Sequence, residues 1–143
     1  MAMKKKKYLL EWDETSEQNN ILGIVSSTTH LSFVHNLNKT TSYDFCRTDD
    51  LSKAIGNDTL YFVKYIYEDV EQSNRYVLVK NKGIGGSLGN EFKGFDYILI
   101  LITEHTETLS KSKELLLSQS FIQAVVEVDT HKISEANKQL LEF

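Results

Sequence analysis

The feature that most constrains the fold is a continuous apolar run, FDYILILIT, at residues 95–103. Side chains alternate between the two faces of a β-strand, and here both alternating sets are apolar or aromatic. Strands that are covered on both faces have this composition, whereas half-exposed strands alternate with polar residues. The run therefore predicts a strand at the centre of a sheet.

Two helices are indicated by apolar residues at helical spacing. Phe33, Val34 and Leu37 share one face with His30 of a helix that begins at Thr28 or Thr29, whose hydroxyl can cap it. A second helix begins at Thr106 or Thr108, and its core contacts are predicted to be Leu109, Leu115 and Leu116.

The remaining segments predict several further strands. Segments 60–68 and 75–80 are rich in β-branched and aromatic residues, and their short polar connection favours an antiparallel hairpin. Residues 48–59 are polar and predict a loop, and residues 133–143 predict a helical turn or two. The other predicted strands are 6–12, 21–27, a weak strand at 43–46, and 121–129.

This order of elements predicts a single α+β domain over residues 1–143. We expect a two-layer sandwich in which a mixed, mostly antiparallel sheet carries both main helices on one face. A ferredoxin-like core with extra strands is one topology that fits. The opposite face would then need a covering, for which a partner subunit is a candidate. The hairpin carries tyrosines that we expect on that face, packed in the core or at a subunit interface: Tyr61, Tyr65, Tyr67 and Tyr76.

Composition narrows the classes of function. The net charge is −4 with both signs mixed, which argues against the basic surface that nucleic-acid binding requires. No apolar run is long enough to span a membrane, and Cys46 is the single cysteine, so a cytoplasmic protein without disulfides is expected. The four histidines lack metal-ligand spacing, and neither a metal nor a cofactor is predicted.

Five of the seven glycines lie between Gly83 and Gly94, immediately before the central strand. The stretch lacks the Gly-Lys-Ser/Thr of a phosphate loop, and Leu88 stands where a dinucleotide fingerprint needs its third glycine. A strand follows, whereas both motifs require a helix. The composition instead predicts a mobile connection, and a flap at residues 83–90 over a small-ligand pocket at the start of the strand is an alternative hypothesis.

The residues that follow, GNEFKGFDY at 89–97, resemble the signature of the IPExxxVDY family of small uncharacterised bacterial proteins. Glu91, Asp96 and Tyr97 match the signature, Phe95 replaces its Val, and Gly89-Asn90 replaces its Ile-Pro. The resemblance implies a stand-alone cytoplasmic protein of bacterial type and supplies no catalytic residues.

Three hypotheses of function follow from these patterns. The leading one is a non-enzymatic association module that forms a homodimer through the sheet face or an edge strand. The second is a small-ligand-binding protein with the glycine-rich flap, and the third is an acid–base enzyme using Glu91, Asp96 or His105. Glu91, Asp96 and Tyr97 are the candidate binding residues, and a structural role is favoured for all three because buried polar groups are usually hydrogen-bonded within the fold.

Overall fold

The computed structural model describes residues 18–83 and 86–141. The helices are α1 (His30–Thr40), α2 (Thr108–Leu117) and α3 (Glu135–Leu140), and short 3₁₀ turns lie at Asn90–Phe92 and Thr130–Lys132. The strands are β1 (Gln18–Val25), β2 (Cys46–Arg47), β3 (Leu51–Ile55), β4 (Asp58–Phe62), β5 (Lys64–Asp69), β6 (Asn74–Lys80), β7 (Lys82–Gly83), β8 (Gly86–Ser87), β9 (Tyr97–Thr103) and β10 (Ala124–Val128). The predicted strand at 6–12 lies outside the described residues.

The main sheet has six strands in the order β10-β1-β9-β6-β5-β2. Every neighbouring pair in it is antiparallel. The apolar strand β9 lies between β1 and β6, with Leu99 opposite Leu22 on one side and Leu78 on the other. The predicted central position of this strand is confirmed.

Four strands and two helices form a ferredoxin-like core. Along the chain the core runs β1-α1-β6-β9-α2-β10, and in the sheet its strands lie in the order β10-β1-β9-β6. Each helix thus connects two strands that have a third strand between them, which is the split β-α-β arrangement. Strands β5 and β2 extend the sheet beyond β6. The predicted α+β class, with both main helices on one sheet face, is confirmed.

The face of the sheet that carries α1 and α2, called the helix face below, holds the larger core. Phe33 stacks on Tyr97 with 4.2 Å between ring centroids, and Phe121 meets Phe33 edge-on. Thr29 precedes α1 as predicted, but its hydroxyl makes no capping bond. The core also contains residues from the sheet and both helices: Leu22, Ile24, Val34, Leu37, Leu78, Leu99, Leu101, Leu116 and Val125.

Tyr65, Tyr67 and Tyr76 lie on this helix face, so their predicted position on the opposite face is wrong, while Tyr61 is exposed on β4. Tyr65 and Tyr76 are buried, and Tyr67 is half-buried and stacked on Tyr76. Tyr43 and Phe45, from the chain that leads from α1 into β2, pack against these rings. Intramolecular aromatic packing therefore covers the side that was expected to need a partner.

The other sheet face, called the loop face below, is covered by segments inserted between core elements and by the chain that follows β10. The β3–β4 hairpin, the 3₁₀ turn at Asn90–Phe92 and the chain around α3 pack on it. Its buried residues are Ile21, Leu60, Phe62, Val79, Leu88, Phe92, Ile98, Ile100, Ile133 and Leu141.

The inserted hairpin corrects two predictions. Residues 51–55 form β3, although 48–59 is predicted as a loop. The outward side of β3 and β4 is exposed and therefore polar, so the sequence resembles that of a loop. Residues 60–68 do not form one strand. The chain breaks at Val63, and its two halves, β4 and β5, join different sheets.

Candidate functional site

A cavity of about 500 Å³ lies where the glycine-rich stretch meets the start of β9. It occupies the position that the sequence predicts for a small-ligand pocket. The loop between β6 and β9 forms most of its wall, and its lining residues are Asn81, Lys82, Ser87, Gly89, Asn90, Lys93, Gly94, Phe95 and Asp96.

The glycines serve close packing at two points of this loop. A Cβ atom on Gly83 would collide with the carbonyl oxygen of Tyr61 and approach the ring of Phe62. Gly89 has φ 150° and lies against the Glu91 carboxylate and the Asn137 amide. Leu88, between them, is fully buried. The loop is thus held down on the loop face, where composition had predicted a mobile flap.

Asn81 is the residue that fixes the loop. Its side-chain amide donates to the carbonyl oxygens of Phe92 at 2.9 Å and Phe95 at 2.8 Å, and its side-chain oxygen accepts from the Leu88 N–H. Asn81 is 3% exposed, and its side chain makes all three of these hydrogen bonds to backbone groups inside the protein. Sequence reasoning missed it. The signal was an asparagine placed directly between a β-branched strand and the glycine-rich stretch.

Asp96 ties the start of β9 to the end of β1. Its backbone N–H donates to the Ile24 carbonyl, and its Oδ2 accepts from the Ser26 N–H, both at 2.8 Å. Its own carbonyl accepts from Asn81 N–H. Asp96 lines the cavity, and one of its carboxylate oxygens connects the start of β9 to Ser26, directly after β1.

Tyr97 points away from the cavity into the helix face. Its ring is 2% exposed, and its hydroxyl donates to the Thr28 carbonyl at 2.6 Å. Burial of the hydroxyl, with the nearby Asp96 charge, raises the pKa of Tyr97 to about 12. The residue joins β9 to the chain that enters α1 and does not line the cavity.

Glu91 points to the start of α3. Its Oε2 accepts from the Ser134 N–H at 2.9 Å. Burial alone would raise the pKa of Glu91, but hydrogen bonds from Ser134, from its own N–H and from Asn137 outweigh that effect and lower it. Glu91 and Asp96 therefore bind different backbone groups and do not form a pair of acids.

His105 lies at the far end of β9 from the cavity. The seven residues of the strand separate the two places by about 20 Å, at roughly 3.3 Å per residue. Its Nε2 is 3.0 Å from the Gln72 carbonyl oxygen. The three predicted acid–base candidates are thus not brought to a common site.

The polar groups that remain at the cavity include two cations. Lys82 and Lys93 are exposed at its rim, and Ser87 and Asn90 add exposed hydrogen-bonding side chains. Asp96 supplies the one carboxylate in the lining, with one oxygen already bonded to Ser26. Within residues 18–83 and 86–141, no group of three or more His, Cys, Asp or Glu side chains is placed to hold a metal ion.

A second polar cavity, of about 230 Å³, lies between the start of α2 and the β5–β6 turn. Tyr43 lines this cavity. Burial raises the pKa of Tyr43 to about 12, and this effect outweighs a hydrogen bond from Ser112 that lowers the pKa. Asn74, Thr103 and Thr108 form a hydrogen-bonded chain beneath it. These buried polar groups satisfy one another, which indicates a structural network.

No protein-family model, no curated protein and no solved structure matches this chain. The helices among the described residues are too short, or too polar, to cross a membrane. The site must therefore be interpreted from its own chemistry.

Proposed function

We propose that this chain is a non-enzymatic binding protein that takes a small polar anion in the cavity at the start of β9. The observation that carries the proposal is the cavity itself, of about 500 Å³, which has the size of a small-molecule site. Its walls come from a loop that Asn81 ties down through hydrogen bonds to the Phe92 and Phe95 carbonyls. A wall that is held in place before binding loses less conformational entropy when a ligand binds.

The charges at the cavity support an anionic ligand. Lys82 and Lys93 outnumber the single carboxylate of Asp96, and that carboxylate already accepts a backbone hydrogen bond. Lysine ammonium groups attract phosphate or carboxylate as point charges. Ser87 and Asn90 can donate further hydrogen bonds, so the ligand we propose carries several acceptor oxygens.

Amide NMR with inorganic phosphate as the probe tests this proposal. We expect saturable shifts of the Ser87, Gly89 and Gly94 amides as phosphate is added at constant ionic strength. Lys93→Met should weaken binding by about threefold or more, because it removes one of two charges that the anion meets.

Lys39→Met is the matched control, since Lys39 is an exposed lysine in the last turn of α1, away from the cavity. This variant should bind phosphate like the wild type. Amide shift changes that do not saturate with phosphate, or that are reduced equally in Lys93→Met and Lys39→Met, would indicate nonspecific ionic screening. Either result would contradict a site at the loop.

Association is the second candidate function, and strand β10 favours it. This strand lies at one edge of the six-stranded sheet, has the sequence AVVEV, and leaves Val126 46% exposed. An exposed edge of β-branched residues is a template for pairing with another strand. We propose that the homodimer uses β10, because Tyr65, Tyr67 and Tyr76 pack inside the chain.

Sedimentation velocity of Val126→Lys tests this second candidate. A dimer that pairs through β10 should become a monomer when the charge is added at its centre. Leu31→Lys is the control, because Leu31 is 66% exposed on α1, outside the sheet. A dimer that survives Val126→Lys but not Leu31→Lys would move the interface to the helices.

Membership of the IPExxxVDY family and a cytoplasmic location remain proposals. What supports the first is the match of Glu91, Asp96 and Tyr97, each of which makes a specific contact to a distant segment of the fold. What supports the second is the single, exposed Cys46, a pattern typical of reducing compartments.

A further inference from the structure

Arg75 occupies an unusual position on the loop face of β6. It lies opposite Glu68 of β5 and Ile102 of β9, on the same side of the sheet as Val77 and Val79. A narrow cleft of about 20 Å³ opens there; its lining runs from Arg75 to Val79 along β6 and shares no residue with the lining of the cavity at the start of β9. Two cations, Lys64 and Arg75, line this cleft together with apolar residues: Leu51, Ile66, Val77, Val79, Ile100, Ile102 and Leu141.

The Nε atom of Arg75 is buried and has no hydrogen-bond partner in the part of the chain that the structure describes. Buried polar side-chain atoms nearly always have one, so this donor calls for an explanation. A guanidinium group cannot relieve its burial by losing a proton, because it stays charged at any physiological pH.

The charges around Arg75 do not supply the missing acceptor. Glu68 lies directly opposite in the register, yet the described residues contain no ion pair between the two. Among residues 18–83 and 86–141, no acidic side chain lines the cleft. Lys64 adds a second positive charge to the same apolar surface, which increases the demand for an anion.

We propose that the cleft binds the carboxylate of an aliphatic monocarboxylic acid. The Nε–H and a terminal N–H of Arg75 form the planar fork that suits two carboxylate oxygens, with Lys64 as the second cation. The enclosed part of the cleft, about 20 Å³, has room for roughly one water-sized group, so it takes one carboxylate oxygen while the rest of the head group lies at the mouth. The alkyl chain then lies along the apolar rim formed by Ile66, Val77 and Leu51.

Methyl NMR of the full chain with hexanoate as the probe tests this proposal. Hexanoate should shift the methyl signals of Ile66, Val77 and Val79 saturably at millimolar concentration. Hexanol, which has the chain without the charge, and inorganic phosphate, which has charge without the chain, should not. Phosphate shifts of these methyls as large as those with hexanoate would overturn the assignment to a monocarboxylate.

Arg75→Met should weaken hexanoate binding by about tenfold or more, the loss typical of a hydrogen bond between charged groups. Arg47→Met is the matched control, because Arg47 is the other arginine of the chain and pairs with Asp50 away from the cleft. If Arg75→Met does not fold, Lys64→Met and Arg75→Lys carry the test, and both should weaken binding.

Failure of hexanoate to shift the cleft methyls in the wild type would overturn the proposal. So would equal binding by Arg75→Met and Arg47→Met. A third contradicting result would be that the Arg75 side chain loses its fixed conformation in Glu68→Gln. That would show that Glu68 is its hydrogen-bond acceptor.

Discussion

The two faces of the sheet are built differently, and the difference separates stability from binding. The helix face is closed by α1, α2 and stacked aromatic rings, and its polar groups, such as the Tyr97 hydroxyl, have partners inside the fold. The loop face is closed by the β3–β4 hairpin, the β6–β9 loop and the chain around α3, which leave a large cavity at the start of β9 and a narrow cleft along β5 and β6. Loops carried by a rigid scaffold are where binding residues usually lie, so we assign function to the loop face.

The largest expected effect comes from the helix face. Phe33→Ala should lower the free energy of unfolding by about 3–5 kcal/mol, because it removes a fully buried ring that stacks on Tyr97. Urea denaturation measures this loss. Leu31→Ala, two residues earlier and 66% exposed, should change it by less than about 0.5 kcal/mol. Equal losses in the two variants would contradict the packing of α1.

The next effect tests the loop face. Asn81→Ala should cost about 3 kcal/mol, because it leaves buried carbonyls of Phe92 and Phe95 and the Leu88 N–H without partners. The loop should also become sensitive to proteases, while hydrogen exchange in β9 and β6 stays slow. Asn90→Ala, an exposed amide in the same loop, is the control and should be nearly neutral. A protease-resistant Asn81→Ala loop would mean that other contacts hold it.

Asp96 gives a smaller effect and tests whether a motif carboxylate is structural. Asp96→Ala should lower the free energy of unfolding by about 2 kcal/mol, because the Ser26 N–H loses its charged acceptor. Thermal and urea unfolding measure this. If stability is unchanged while phosphate binding at the loop is lost, the carboxylate serves the ligand and our structural interpretation is wrong.

The smallest effect concerns Tyr97 and appears at high pH. Its pKa is about 12 in the fold against 10.0 ordinarily, so between these values the unfolded chain binds fewer protons than the folded one. Stability therefore falls as pH rises from about 10 to about 12. Tyr97→Phe should remove part of this fall and cost about 1 kcal/mol at neutral pH through loss of the bond to Thr28. Tyr61→Phe, with an exposed ring, should change neither quantity.

The elements with strong periodicity could be predicted from the sequence. The all-apolar pattern of β9 and the spacing of Phe33, Val34 and Leu37 report burial directly, and both elements lie where predicted. A cavity also lies at the start of β9, where the hypothesis of a small-ligand protein places its pocket. These are properties that each segment carries by itself.

What failed depends on long-range packing. The strand pattern of β5 shows that its tyrosines share a face, but no local pattern says which face the helices cover. The hairpin β3–β4 looked like loop because its outward side is exposed. The roles of Asn81 and Arg75 arise from contacts with segments far along the chain or across the sheet, which no motif marks.

Native mass spectrometry of gently purified protein tests the central claim most directly. We compare the wild type with a Lys82→Met, Lys93→Met double variant, each before and after denaturation. Our account predicts extra mass on the wild type that is lost on denaturation and absent from the variant. A wild type that carries no extra mass, and is found only as a clean dimer, would contradict ligand binding at the loop and leave association through β10 as the function.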